Sequence, residues 1–181
     1  MFIPTVVGLS LLLSAQPSRS FDESDLMRII ALNQCEECDL RKADLSGADM
    51  RSGSLANADL REANLKDALL AFANMSNAKL RKADLTGVNL SHADLREADL
   101  RNSILIGANF EKTNFTGANL TRVDFMGSTL IEANFQNSNL MGANFTNSNM
   151  INATFEGANL IGATWTNGET CGPDSIGVCN K

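Results

Sequence analysis

The chain has 181 residues, about the length of one ordinary domain. It carries 15 Lys and Arg against 21 Asp and Glu, a net charge of -6, with 44% apolar residues and a mean hydropathy of -0.09. That is too apolar for a disordered chain and too acidic for a general nucleic-acid binder, whose partner phosphates demand a clustered basic excess.

The first 20 residues, MFIPTVVGLSLLLSAQPSRS, hold an apolar run of about 14 followed by small and polar residues. A spanning helix needs about 20 apolar residues, so the run fits a signal-peptide core rather than an anchor. Cleavage is expected after Ala15 or after Ser20, although no basic residue precedes the run. The competing reading is a short apolar strand or helix that covers the end of the domain. Residues 22–33, DESDLMRIIALN, begin with acids and Ser and place Leu26, Ile29 and Ile30 at i, i+3 and i+4. This pattern predicts a short amphipathic helix within an N-terminal capping segment, 21–37.

From residue 38 the chain falls into fives: CDLRK, ADLSG, ADMRS, GSLAN, ADLRE, ANLKD, and so on to ATWTN at 163–167. This gives 26 repeats over 130 residues with no insertion. The central residue is always large and apolar: 16 Leu, 6 Phe, 3 Met and Trp165. The residue two before it is small in every repeat, Ala in 17 of them. A period of five suits neither a helix at 3.6 nor a long strand at 2. The small and large residues therefore share the inner face of a short extended segment, and the two residues after the large one turn the chain. Gly at corners such as Gly47 and Gly107 supplies the positive φ that a tight corner uses, and Asn tolerates it. Asn and Asp side chains before the large residue can bond locally to the backbone. No single repeat can bury its Leu alone, so stability must come from stacking.

Longer modulations set the number of sides. Arg follows the central Leu at 41, 61, 81 and 101, a spacing of 20, which four repeats per turn would bring into one column. The same count puts Phe115, Phe135 and Phe155 on one wall and Phe125, Phe145 and Trp165 on the opposite wall. Beyond Trp165, residues 168–181 have no helical period and read as an irregular loop over the far end.

The unbroken A(D/N)LXX tandem resembles the pentapeptide repeat family. That resemblance implies an all-β fold, a right-handed quadrilateral β-helix with the small and large residues inward and the other three positions outward. The 26 repeats would make a rod roughly 31 Å long at ~4.8 Å per coil. Cys35 and Cys38 then sit at one end, Cys171 and Cys179 at the other. A disulfide needs Cα atoms within about 7 Å, so bonds inside one chain would join Cys35 to Cys38 and Cys171 to Cys179, and one four-Cys zinc site is excluded. The segments around these cysteines also resemble the end caps of exported family members.

Catalytic readings find little footing. A redox-active Cys-x-x-Cys has its first thiolate at a helix N-terminus, whereas here the pair follows the expected helix and Glu36 and Glu37 disfavour a thiolate. The single His, His92, falls at an outward corner as a solvated side chain with no second His. Asp recurs at 39, 59 and 99 and at 44, 84 and 124, but flat walls offer no cleft for a pair of catalytic carboxylates. N-x-S/T triplets such as Asn114-Phe115-Thr116 follow from the repeat itself.

A functional branch of the family mimics DNA in shape and charge, binds type II topoisomerases and confers quinolone resistance. It implies a dense acidic surface, typically a dimerising C-terminal segment, and often loops in the repeat. Residues 38–167 instead hold 12 basic and 14 acidic residues without interruption. Two outward features remain. One wall carries Arg41, Lys42, Arg61, Lys79, Arg81, Lys82, Arg101 and Arg122 against four acids. Its centre, Arg61, Lys79, Arg81, Lys82 and Arg101, is a candidate anion-binding surface. In the second half, outward positions turn apolar at Ile104, Ile106, Met126, Ile131, Met141, Ile151 and Ile161.

The reading is an exported, non-catalytic, monomeric rod that binds an unknown protein partner or a polyanion, with no cofactor, no metal and no DNA. It would not be membrane-bound after signal cleavage. The resemblance to capped members from oxygenic photosynthetic bacteria implies a periplasm or thylakoid lumen. The alternatives are a cytoplasmic topoisomerase-binding DNA mimic and, third, a thiol oxidoreductase.

Overall fold

The computed structural model describes residues 21–181, so the expected signal peptide, 1–20, lies outside the described residues. The one helix among them, α1 (Glu23–Leu32), starts where the acids predict. The Asp22 carboxylate accepts the Ser24 N–H at 2.8 Å, and Glu23 and Asp25 place negative charge in the first turn, where the helix dipole favours it. It stops at Asn33, which is left-handed at φ 53° and donates its N–H to the Ile29 carbonyl.

Only part of the expected apolar stripe of α1 turns inward. Ile29 is fully buried and Leu26 packs on the core at its edge, but Ile30 is 50% exposed. Two polar contacts with Asp39 hold the start of the helix: the Asp22 N–H donates to its carbonyl at 3.0 Å, and its own N–H donates to the Asp25 carboxylate at 2.9 Å. With Asp25 facing the coil, Ile29 is carried inward one turn later, and Ile30, a further 100° around the helix, is left outside.

From Gln34 on, the backbone is a parallel β-helix in which residue i bridges residue i+20, as in Asp39 to Asp59 and Asp59 to Lys79. Four pentapeptides thus complete one coil. The hydrogen bonds repeat with this register: the Leu40 N–H donates to the Asp59 carbonyl at 2.8 Å, and the Asp59 N–H donates back to the Cys38 carbonyl at 2.8 Å. The coil begins one repeat earlier than the periodicity suggests, because Gln34 bridges Ser54 and Cys35, fully buried, takes a central position.

Every corner is left-handed. The second residue after each central one has φ near +60° from Glu37 to Gly162, at Lys42, Glu62, Phe72 and Arg122 as well as at the glycines. Such a residue is normally disfavoured without a glycine. Here the corner is closed by an i to i+3 bond, as from the Ala43 N–H to the Leu40 carbonyl at 3.1 Å, and the corner N–H itself donates to the next coil, Lys42 to the Arg61 carbonyl at 3.0 Å. These bonds, repeated at every coil, hold a conformation that the side chains alone would resist.

The core is a single column of buried Leu, Ala and Phe. Its second half carries the two expected aromatic stacks. Phe135 lies parallel to Phe115 (4.9 Å, 1°) and Phe155 (5.0 Å, 7°), and Phe125 lies parallel to Phe145 (5.2 Å, 5°). The stacks meet edge to face, as Phe125 with Phe135 at 80°. Trp165 departs from the stack, meeting Phe145 at 67°. The tail folds back antiparallel, Asn159 bridging Ile176 and Thr164 bridging Thr170. Cys171 and Ser175 are thereby buried against the last coil. The tail reaches the faces of Leu160 and Trp165, while Met150 and Phe155, on the other two faces, are half-buried.

Candidate functional site

Six arginines directly follow a central residue, and five of them are held within their own repeat. Arg41, Arg51, Arg61, Arg96 and Arg101 each grip the Asp two residues earlier, with Nε–H donating to Oδ1 at 2.8–2.9 Å and Nη2 to Oδ2 at 2.6 Å. The same Asp oxygens accept the Arg backbone N–H, as from Arg61 to Asp59 at 3.3 Å. This local bond recurs along the chain with Asn, as from Thr116 to Asn114 at 3.0 Å. The fork matches a carboxylate in two places at once. The Arg96 side-chain bonds hold the Asp94 carboxyl below its ordinary range, as those of Arg41 and Arg51 do for Asp39 and Asp49. At Asp59 and Asp99 burial pushes the other way and is outweighed by the bonds from Arg61 and Arg101.

Arg81 is the sixth. Lys79 stands where the other five repeats have Asp, and the buried Arg81 Nε has no hydrogen-bond partner. Among the described residues, only Lys79, Arg81, Lys82 and Arg122 lack an ion pair, every other Lys and Arg having a carboxylate within 4.0 Å. Three of the four fall in one repeat. Two of these, Lys79 and Arg81, line a shallow, solvent-open depression of about 410 Å³ together with Arg61, Asn77, Glu97 and Asp99. Of the five residues expected to form an anion surface, Arg61 and Arg101 flank this repeat with their charge taken up by Asp59 and Asp99. Lys82 is exposed at the following corner and does not line the depression. Asn77 and Glu97, from the preceding corner, line it without having been expected. The 20-residue register could have found them, since it stacks 77 on 97.

The remaining candidates sort as follows. The sulfurs of Cys35 and Cys38 and of Cys171 and Cys179 are 2.04 Å apart, with Cα atoms at 5.2 and 5.0 Å. The Asp25 carboxylate lies within 4.8 Å of the sulfurs of the first pair; binding a metal or acting as a nucleophile would require those sulfurs as thiolates. His92 is an exposed corner residue, as expected, yet its ring stacks on Phe72 at 4.7 Å and 10°. Phe72 is itself 61% exposed. Of the outward apolar residues, Ile104, Met126, Met141 and Ile151 are exposed, and Ile106, Ile131 and Ile161 are half-buried. No helix among the described residues is long and apolar enough to cross a membrane.

Comparison with known proteins matches the chain to the model of pentapeptide repeats, in 8 copies spanning residues 34–67, 63–102, 93–130 and 130–164. No curated protein matches it in sequence. Among solved structures, HetL is 31% identical, with 76% of this chain and 70% of that chain covered and a TM-score of 0.50. HetL is a pentapeptide repeat protein involved in heterocyst differentiation regulation in the cyanobacterium Nostoc. A pentapeptide repeat protein of the Arabidopsis thaliana thylakoid lumen is 33% identical over 60% of this chain and 68% of that one, at a TM-score of 0.44. QnrB1, a plasmid-mediated fluoroquinolone resistance protein, is 20% identical over 71% and 73%, at 0.45.

Proposed function

The chain belongs to the pentapeptide repeat family, and we propose that it is an exported, non-catalytic interaction protein that offers the faces of a rigid coil to a partner. The observation that carries this reading is the unbroken run of bridged coils from Gln34 to Thr164, with a shallow, solvent-open depression at Lys79 and Arg81. Such a body offers extended faces to a partner, whereas substrate sites are typically concave and enclosing. In this reading the coil is a right-handed quadrilateral β-helix, α1 caps its first turn, and the tail from Gly168 caps its last. The proposed bonds Cys35 to Cys38 and Cys171 to Cys179 lock the two caps, which suits an oxidising compartment such as a periplasm or thylakoid lumen. The near-balance of charge along residues 38–167 weighs against mimicry of DNA.

The test is made in the native host. N-terminal sequencing of the mature protein should find cleavage after Ala15 or Ser20, and proximity labelling in the exporting compartment should mark a defined partner. An intact N-terminus with reduced cysteines, together with inhibition of gyrase by the purified protein, would replace this reading by the topoisomerase one. Reduction of insulin at a glutathione-range potential would favour the thiol oxidoreductase.

A further inference from the structure

The repeat around Leu80 differs from its neighbours in one chemical respect. In five repeats the Nε and Nη2 edge of an arginine receives both oxygens of a carboxylate from its own repeat, at 2.6–2.9 Å. At Arg81 the position of that carboxylate is taken by Lys79, and the Arg81 Nε is buried without a hydrogen-bond partner in the chain. A cation thus stands where the fold elsewhere puts an anion, beside a fork whose geometry suits two oxygens of one group. We propose that Arg81, Lys79 and Lys82 form a binding site for a dianionic tetrahedral oxyanion, the phosphate or sulfate group of a partner. This proposal rests on the reading of the rod as a binding surface.

The surroundings limit what fits. Lys79 bridges Asp59 in the preceding coil and Asp99 in the following one, so the backbone on either side, ~4.8 Å away, carries an Asp. Those carboxylates already engage Arg61 and Arg101. Hence Arg61, Arg81 and Arg101 cannot share one ligand, and an extended polyanion lying along the column would meet Asp39, Asp59 and Asp99 in turn. The uncompensated charge is one coil high and takes a compact group. Two cations without an ion pair of their own, Lys79 and Arg81, favour two negative charges over the single charge of a carboxylate. Glu97 lines the same depression and opposes any anion there, so affinity for a small free anion is modest and falls with salt.

The experiment is a titration of the purified mature protein with sodium phosphate, sodium sulfate and sodium acetate in separate arms. It is run at low ionic strength and about pH 8, where phosphate is dianionic, and followed by the NMR signal of the Arg81 Nε–H and by calorimetry. Phosphate or sulfate should give a saturable shift at Arg81, with the two arms identifying which oxyanion is preferred, and acetate should bind at least about tenfold more weakly. Lys79→Asp should build the Asp–Arg pair of the neighbouring coils. It should leave the melting temperature unchanged or higher and weaken phosphate at least about tenfold, because the new carboxylate occupies the fork. Glu97→Gln should tighten binding. The proposal is overturned if Lys79→Asp binds phosphate as the wild type does, if acetate matches phosphate, or if neither dianion shifts Arg81. None of these outcomes depends on a natural partner, so they refute the site without touching the binding role of the rod. Conversely, failure to find a partner in the host leaves the titration standing.

Discussion

Phe135 touches four other rings of the core, and its replacement tests the packing directly. It is fully buried, stacked between Phe115 and Phe155 at 4.9 and 5.0 Å, and meets Phe125 and Phe145 edge to face at 5.8 and 6.1 Å. Phe135→Leu keeps most of the apolar volume and removes the ring pairs. At about 0.5–1.5 kcal/mol per pair, partly regained by aliphatic contacts, the loss should be roughly 1–3 kcal/mol. Phe135→Ala also leaves a cavity and should cost about 3–5 kcal/mol. With a urea dependence of about 2 kcal/mol per molar, the alanine variant's midpoint should fall by roughly 2 M, and that of the leucine variant by about half as much. The assay is urea unfolding under oxidising conditions, followed by circular dichroism and by the fluorescence of Trp165. That residue is the only tryptophan and lies 5.3 Å from Phe155. A midpoint for Phe135→Ala within about 0.3 M of the wild type, below 1 kcal/mol, would refute the stacked core.

The other predictions follow from the same geometry. Non-reducing peptide mapping should recover Cys35 linked to Cys38 and Cys171 linked to Cys179. Opening the second bond should cost about 2.6 kcal/mol on the loop-entropy model, read as a lower melting temperature after reduction. Leu95, fully buried in mid-coil, should not tolerate Leu95→Arg: an unpaired buried charge costs several kcal/mol, and an unchanged melting curve would place Leu95 outside the core. Stability should also fall in acid. Asp39, Asp49 and Asp94 are held below their ordinary value of 3.8 by arginine. Their contribution is therefore complete above about pH 4 and is lost as pH falls through the depressed folded values. A melting temperature that is flat above about pH 5 and declines below about pH 4 is expected. Because these pairs are largely exposed, the decline should be small and should shrink further in salt.

The period of five, read with the rule that small and large residues two apart share a face, identified the inward positions, and the 20-residue spacing of Arg41, Arg61, Arg81 and Arg101 pointed to the coil of four repeats. The alternation of Phe with Leu or Met carried the two stacks, and Asn or Asp before the central residue carried the local backbone bonds. These features are legible because each side of a coil is decided by five residues and by an identical side stacked on it. The ends and the surface are another matter. That Ile30 turns outward while Ile29 turns inward depends on where Asp25 meets Asp39, a contact outside the repeat. The tail's antiparallel return along the faces of Leu160 and Trp165 likewise has no periodic signal. The basic wall was visible as a count of charges, but which of its cations are paired, and that Lys79, Arg81, Lys82 and Arg122 are not, emerged only when each side chain was seen beside its partner.

The sequence by itself therefore determined the backbone path and the core, because a strict repeat makes every coil solve the same packing problem. The tertiary structure decided which surface groups are spent on one another and which are left to act. Pairing between charged side chains depends on distances of a few ångströms across and within coils, and a one-dimensional pattern records only their order.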